Sequence, residues 1–228
     1  MKNYAFFMTR RWLLLPMGLA LAAGVMSAAG SHSIYFGAAT EQQWFVGARE
    51  QSALKLKVRP LYVDGRLKEF TTGPSRDITD RAFVVRKVYR VNDRLPSDTK
   101  QSPKWKWQRA GWLLVDRPTG RVTELHLPDF DSFYSTASWY RDYVAYCGLS
   151  SDVSRVYAVV AQIGVKKPLV RKDLGHAHGG DMPDSECDEP AWQRSPVQVT
   201  IAPKDGQPVT FAIHRQAAEP SSDRESQE

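Results

Sequence analysis

The chain has 228 residues, a quarter of them charged, a formal net charge of +6 and two cysteines. Three of its basic residues, Lys2, Arg10 and Arg11, stand at the extreme N-terminus, so the rest of the chain is only mildly basic and its high isoelectric point gives no ground for a nucleic-acid partner. No Gly-x-Ser-x-Gly elbow, His-Glu-x-x-His pair or phosphate-cradling glycine loop occurs, which removes the usual grounds for assigning catalysis.

The first element is a leader. After the basic start an uncharged run rich in Leu, Ala and Gly extends from Trp12 to Gly30 and closes on the small residues Ser27, Ala28 and Ala29. That is the layout of a signal peptide, here residues 1–29, cleaved after Ala29 or Gly30. Its most apolar part, Trp12 to Met26, is broken by Pro16, Gly18 and Gly24 and is shorter than the roughly 20 residues a bilayer span prefers. A retained anchor through residues 12–30 is the alternative. Thr9 to Leu14 also resembles the twin-arginine export motif, so the export route stays open. No cysteine follows the apolar run as a lipid attachment site. The expected location is the periplasm or the exterior, with no stable membrane insertion once the leader is removed.

Residues 30–215 are expected to form a single all-β domain of antiparallel hairpins, and 216–228, rich in Gln, Ser and Glu, a disordered tail. Leu54 to Arg59 alternates strictly between apolar residues and cations, the signature of a half-buried strand. Leu61 to Val63 is the next strand, turning at Asp64-Gly65 and returning as Leu67 to Thr71. Phe83 to Val91 alternates again, with Val84, Arg86, Val88 and Arg90 on one face, and its partner is Trp105 to Asp116. A turn at Arg117 to Gly120 leads to a strand from Arg121 to Leu127. Ser138 to Gly164 reads as two strands, the first ending in Cys147. Val197, Val199 and Ile201, the turn at Lys204 to Gly206, and Val209, Phe211 and Ile213 make a final hairpin.

In an exported chain Cys147 and Cys187 are expected to form one disulfide, stapling the irregular segment between them to a core strand. Two free thiols are the alternative, favoured by a cytoplasmic location.

Three further stretches carry chemistry. Trp105 and Trp107 alternate with Lys104 and Lys106, giving a strand with indoles on one face and cations on the other, suited to core packing or to a glycan or peptide surface. His176 and His178, followed by Asp181, Asp184, Glu186 and Cys187, are a candidate metal loop, although the spacing matches no structural zinc pattern and an oxidised Cys187 cannot coordinate. Asp129 and Asp131 are paired carboxylates for acid–base work or calcium, or for local turn hydrogen bonds. Charge is polarised along the chain: Arg49 to Arg121 holds 18 Lys/Arg against 8 Asp/Glu, and Val122 to Glu228 holds 10 against 16. Such a field steers the basic half toward an anionic surface, or describes a solvated strand face.

Trp112 to Asp116, followed by Thr119, Gly120, Arg121, Val122 and Leu125, resembles the strand-and-turn element of TolB-type β-propeller blades, and Ser138 to Tyr146 resembles the strand that follows it there. The turn preceding that strand reads Ser138-Trp139-Tyr140-Arg141 in place of the family's Ser-Pro-Asp-Gly. Leu113 to Leu125 also overlays Tyr157 to Leu169 at a spacing of about 44 residues, within the range of propeller blades. The resemblance implies propeller-like blades acting as an interaction platform; an antiparallel sandwich would use the same hairpins. The function expected is non-catalytic binding of an envelope protein, glycan or peptide, with no nucleic acid and no cofactor. The alternative is a metal-assisted hydrolase using His176, His178 and Asp181.

Overall fold

The computed structural model describes residues 31–44, 55–95, 97, 102–177 and 186–213. The leader, the expected tail, Leu54, His178 and Asp181 lie outside them. Within these residues the chain is all-β, and every ladder between strands is antiparallel.

A large sheet comes first. It contains β1 (Ile34–Phe36), β2 (Thr40–Gln43), β3 (Lys55–Val63), β4 (Arg66–Thr79), β5 (Ala82–Asn92), β6 (Trp105–Asp116) and β7 (Arg121–Leu125), in the order β1-β3-β4-β5-β6-β7 with β2 also on β3. The two strands expected on either side of Pro60 are one continuous strand. Pro60 is tolerated because its carbonyl, and hence its ring nitrogen, faces the corner between β1 and β2, where Gly37 donates to that carbonyl at 2.8 Å. Gly37 is needed there, since a Cβ would stand 2.6 Å from the Pro60 ring. The β5–β6 pairing falls where expected, with Val85 opposite Leu113. A register shift between Arg86 and Val88 interrupts the alternation. An isolated bridge from Trp44 to Trp107 brings the chain beyond β2 back against β6, so the sheet curls, with the two indoles packed among Leu56, Val58 and Val88 and a separate cluster of Leu61, Phe83, Val85, Leu113 and Val115. Among the described residues it does not close into a barrel.

The second sheet runs β11 (Val170–His176), β10 (Arg155–Gln162), β9 (Tyr143–Leu149), β8 (Ala137–Tyr140), and the third runs β12 (Ala191–Arg194), β13 (Val197–Ile201), β14 (Val209–Ala212). Ser138 to Tyr140, expected as a turn, is strand β8; the chain reverses at Arg141-Asp142 instead, with Arg141 at φ 52°. Cys147 lies inside β9 rather than at its end.

β9 and β10 are buried on both faces, which is why Val144 to Leu149 is a nearly unbroken apolar run instead of an alternation. Ala145, Cys147, Leu149, Val156, Ala158 and Val160 pack with Val199 and Ile201 of the third sheet. Val144, Tyr146, Val159 and Ala161 point the other way, onto Leu127, Phe130 and Trp139, and those three also meet Ile78, Val84 and Trp112 of the first sheet. The second sheet is therefore the shared middle layer. Cys147 is joined to Cys187 by the expected disulfide, with Cα atoms 6.1 Å apart. The segments resembling a propeller blade, Trp112–Leu125 and Ser138–Tyr146, fall in the first and second sheets respectively, and no ring of blades forms among the described residues.

Candidate functional site

A hollow opens where the three sheets meet. It measures about 460 Å³, inside the ~300–1,000 Å³ typical of small-ligand sites. Pro74 and Arg76 of β4 and Trp112 of β6 form one wall, Thr136 to Tyr140 the floor, and Glu189, Trp192 and Arg194 the wall from the third sheet.

The floor is positioned by the loop ahead of β8. Two arginines from the large sheet reach into it: Arg86 donates to the Ser132 carbonyl at 2.8 Å and Arg109 to the Phe133 carbonyl at 3.0 Å. Their guanidinium groups lie 4.7 Å from the Phe130 ring centre and 3.8 Å from that of Trp44, so ring faces cover both cations, and the Asp131 charge acts on Arg86 as well. Burial, reinforced by the neighbouring Arg109, pushes Arg86 down to about 9. Burial alone pushes Arg109 down to about 10. The loop is also tied to β9, since the Ser135 hydroxyl donates to the Cys147 carbonyl at 2.6 Å.

The far wall is positioned by the disulfide. Cys187 lies four residues before β12, and its anchoring to β9 keeps Glu189 and Trp192 beside β8. Trp192 donates its indole N–H to the Ser138 carbonyl at 3.2 Å and lies 5.6 Å from the Tyr140 ring at 31°. Trp112 and Trp139 meet edge to face at 5.2 Å, and their buried indole nitrogens find no acceptor among the described residues. Arg76 and Arg194 form no ion pair among the described residues. Set against Glu189, they leave one uncompensated positive charge facing several aromatic rings.

A second hollow of about 120 Å³ lies on the other side of Tyr140, lined also by Arg141, Asp142, Tyr143 and Gln162. Gln162 donates to Asp142 at 2.7 Å, fixing the β8–β9 turn from below.

The residues singled out in the sequence lie elsewhere. Trp105 is 56% exposed. Trp107 is half-buried against Phe70, 5.1 Å away edge-on. Arg90 stands 5.6 Å from both indoles. Lys106 is paired with Asp93 at 2.7 Å, and the Lys104 backbone bonds Asp93 and Asn92. A cation placed against both indoles is thus Arg90, from the neighbouring strand. His176 closes β11 opposite Arg155, while its expected partners His178 and Asp181 are outside the described residues. The Cys187 sulfur is bonded to Cys147 and is no metal ligand. Asp131 accepts the backbone N–H groups of Phe133 and Tyr134 at 2.7 and 2.9 Å, the turn bonds its position suggested. Asp129 accepts Arg171 at 2.6 Å.

None of the cleft's aromatic or charged residues was legible as a site. Trp112, Trp139 and Trp192 come from different strands in three sheets, and only the tertiary fold brings them together. The one signal available was the tryptophan content, seven residues in the chain. No protein-family model matches this chain, and no curated protein or solved structure is similar to it.

Proposed function

We propose that this chain is an exported, non-catalytic binding protein that holds an anionic component of the cell envelope in the cleft at the junction of its three sheets. The observation that carries this is the pairing of aromatic faces with two guanidinium groups, Arg76 and Arg194, that form no ion pair among the described residues and outnumber the one carboxylate of the lining, Glu189. An unpaired guanidinium keeps its forked donors available for a carboxylate or phosphate, and indole and phenol rings bury the apolar face of the same ligand. Export is supported by the N-terminal leader pattern and by the disulfide, which persists in oxidising compartments. No helix of the described residues is long and apolar enough to cross a membrane. The TolB-type likeness of residues 112–163 points the same way, toward an interaction platform.

Titration of tryptophan fluorescence tests the proposal directly. An acidic envelope polysaccharide is expected to change the emission saturably, and a neutral one of equal length is not. Charge-assisted hydrogen bonds contribute ~1.5–3 kcal/mol each, so Arg76→Ala and Arg194→Ala are each expected to weaken binding roughly 10- to 100-fold and to flatten its salt dependence. Equal binding of acidic and neutral polymers, or none of either, would overturn it.

A further inference from the structure

Resting on that proposed function, we infer that the ligand is a chain: an acidic oligosaccharide that crosses Tyr140 and fills both hollows, not a single small anion. The large hollow and the 120 Å³ hollow share Tyr140 as their common wall. The smaller one falls well below the ~300–1,000 Å³ that small-ligand sites occupy, so its use is as an extension of its neighbour.

Each hollow supplies one part of what a charged sugar chain requires. Arg76 and Arg194 serve the acid group, and Glu189 accepts from ring hydroxyls. The Tyr140 and Trp192 rings, 5.6 Å apart and tilted by 31°, offer apolar ring surface to the C–H face of a pyranose, with the Arg141 guanidinium 5.5 Å from the Tyr140 ring centre. Beyond Tyr140, Gln162, Asp142 and Arg141 present the mixed donors and acceptors that neutral hydroxyls use.

A peptide is the competing occupant, since β8 and β12 are edge strands and an extended peptide binds by adding to such an edge. On β8, however, the Ser138 carbonyl already accepts the Trp192 indole, and that ring stands where an added strand would have to lie. The geometry therefore favours a ligand read by ring faces and hydroxyl contacts.

Calorimetry with mono-, di- and trigalacturonate, maltotriose and a tri-aspartate peptide separates the possibilities. The digalacturonate and trigalacturonate are expected to bind at least tenfold more tightly than the monomer, and maltotriose not measurably. Gln162→Ala is expected to cut the trimer's advantage several-fold, with a retained cooperative melting transition confirming that the variant folds despite the loss of the bond to Asp142. Monomer and trimer of equal affinity would overturn the inference, as would a trimer advantage that survives both Gln162→Ala and Arg141→Ala. So would tighter binding of the peptide. If inorganic pyrophosphate binds and is lost in Arg76→Ala while no galacturonate binds, the chain is refuted and the anionic cleft stands. If no anion binds at all, the proposed function itself fails.

Discussion

The large curled sheet and the disulfide-stapled pair of smaller sheets are joined in different ways. In the first, β3 to β7 follow one another in space as they do in sequence, each hairpin pairing with the next in one continuous ladder. The two smaller sheets are also paired in chain order, but no ladder joins them to each other: β9 and β10 pack on β13 across a long stretch of chain, with the bond between Cys147 and Cys187 and the bridge from Cys187 to Pro203 beside it. One region is held by a single run of pairings, the other by packing and a cross-link between two such runs. The cleft lies on the boundary, taking Arg76 and Trp112 from the first region and Glu189, Trp192 and Arg194 from the second.

The largest effect should come from cutting the cross-link. Replacing both cysteines by alanine reopens a 40-residue separation in the unfolded chain, a loss of about 4 kcal/mol on the chain-entropy view. Amide exchange measured strand by strand is expected to show β13 losing protection while β5 keeps most of its own. Ligand affinity should fall with β13, because Glu189, Trp192 and Arg194 lose their place opposite β8. Equal loss of protection in β5 and β13 would mean a single cooperative unit, and the contrast between the two regions would be wrong.

The same contrast explains what could be read from the residues alone. Alternation in Lys55 to Arg59 marks a strand with one face turned to polar surroundings, whereas Phe83 to Arg86 of β5 is buried on both faces and is apolar but for Arg86, so that only its continuation to Val91 turns exposed residues outward. Alternation cannot exist where both faces are buried. Val144 to Leu149 reads as a strand but shows no face to assign, and the start of β8 reads as a turn only through its place in the blade resemblance. β11 and β12 went unread for a related reason: with burial patterns of mostly exposed residues, they are edge strands whose existence depends on the neighbour they pair with. The disulfide was legible from compartment chemistry. The cleft was not, because its walls are single residues drawn from strands that meet only after folding. Trp105 and Trp107 did attract attention on β6, but the site uses Trp112 at the far end of the same strand.

A smaller effect is expected at the seam between the regions. Gly148 of β9 lies so close to the loop ahead of β8 that a Cβ would stand 2.7 Å from the Asp129 carbonyl oxygen and 2.9 Å from the Asp129 Cβ. Because the obstruction is backbone, Gly148→Ala must displace the loop that Arg86 and Arg109 hold by its carbonyls, at ~1–3 kcal/mol. Calorimetric melting checks the stability, and a parallel binding titration should show a weaker cleft, since that loop carries Thr136 and the start of β8. A variant as stable as the parent would mean that the loop yields freely and that the seam is softer than the two regions it joins.

The smallest effect is confined to the turn between β9 and β10, inside the stapled region but built on neighbouring residues alone. Asp152 accepts from the Ser150 and Ser154 hydroxyls and from the Ser154 backbone N–H. These bonds favour the carboxylate, the Ser150 hydroxyl first, and lower its pKa from 3.8 to about 2. A carboxyl group that folding makes more acidic stabilises the fold fully above its unfolded value and loses that contribution as pH falls through the folded one. The stability difference between the parent and Asp152→Asn should therefore be constant at neutral pH, shrink below about pH 4 and vanish only below about pH 2, with the Asp152 carboxyl resonance giving the midpoint directly. Because the bonds that Asp152 accepts all come from Ser150 and Ser154, the same midpoint is expected in the variant lacking the disulfide for as long as β9 and β10 remain paired. A midpoint that returned to 3.8 in that variant would show that the cross-link organises even the local turns of its region, and that pairing order contributes less there than the contrast requires.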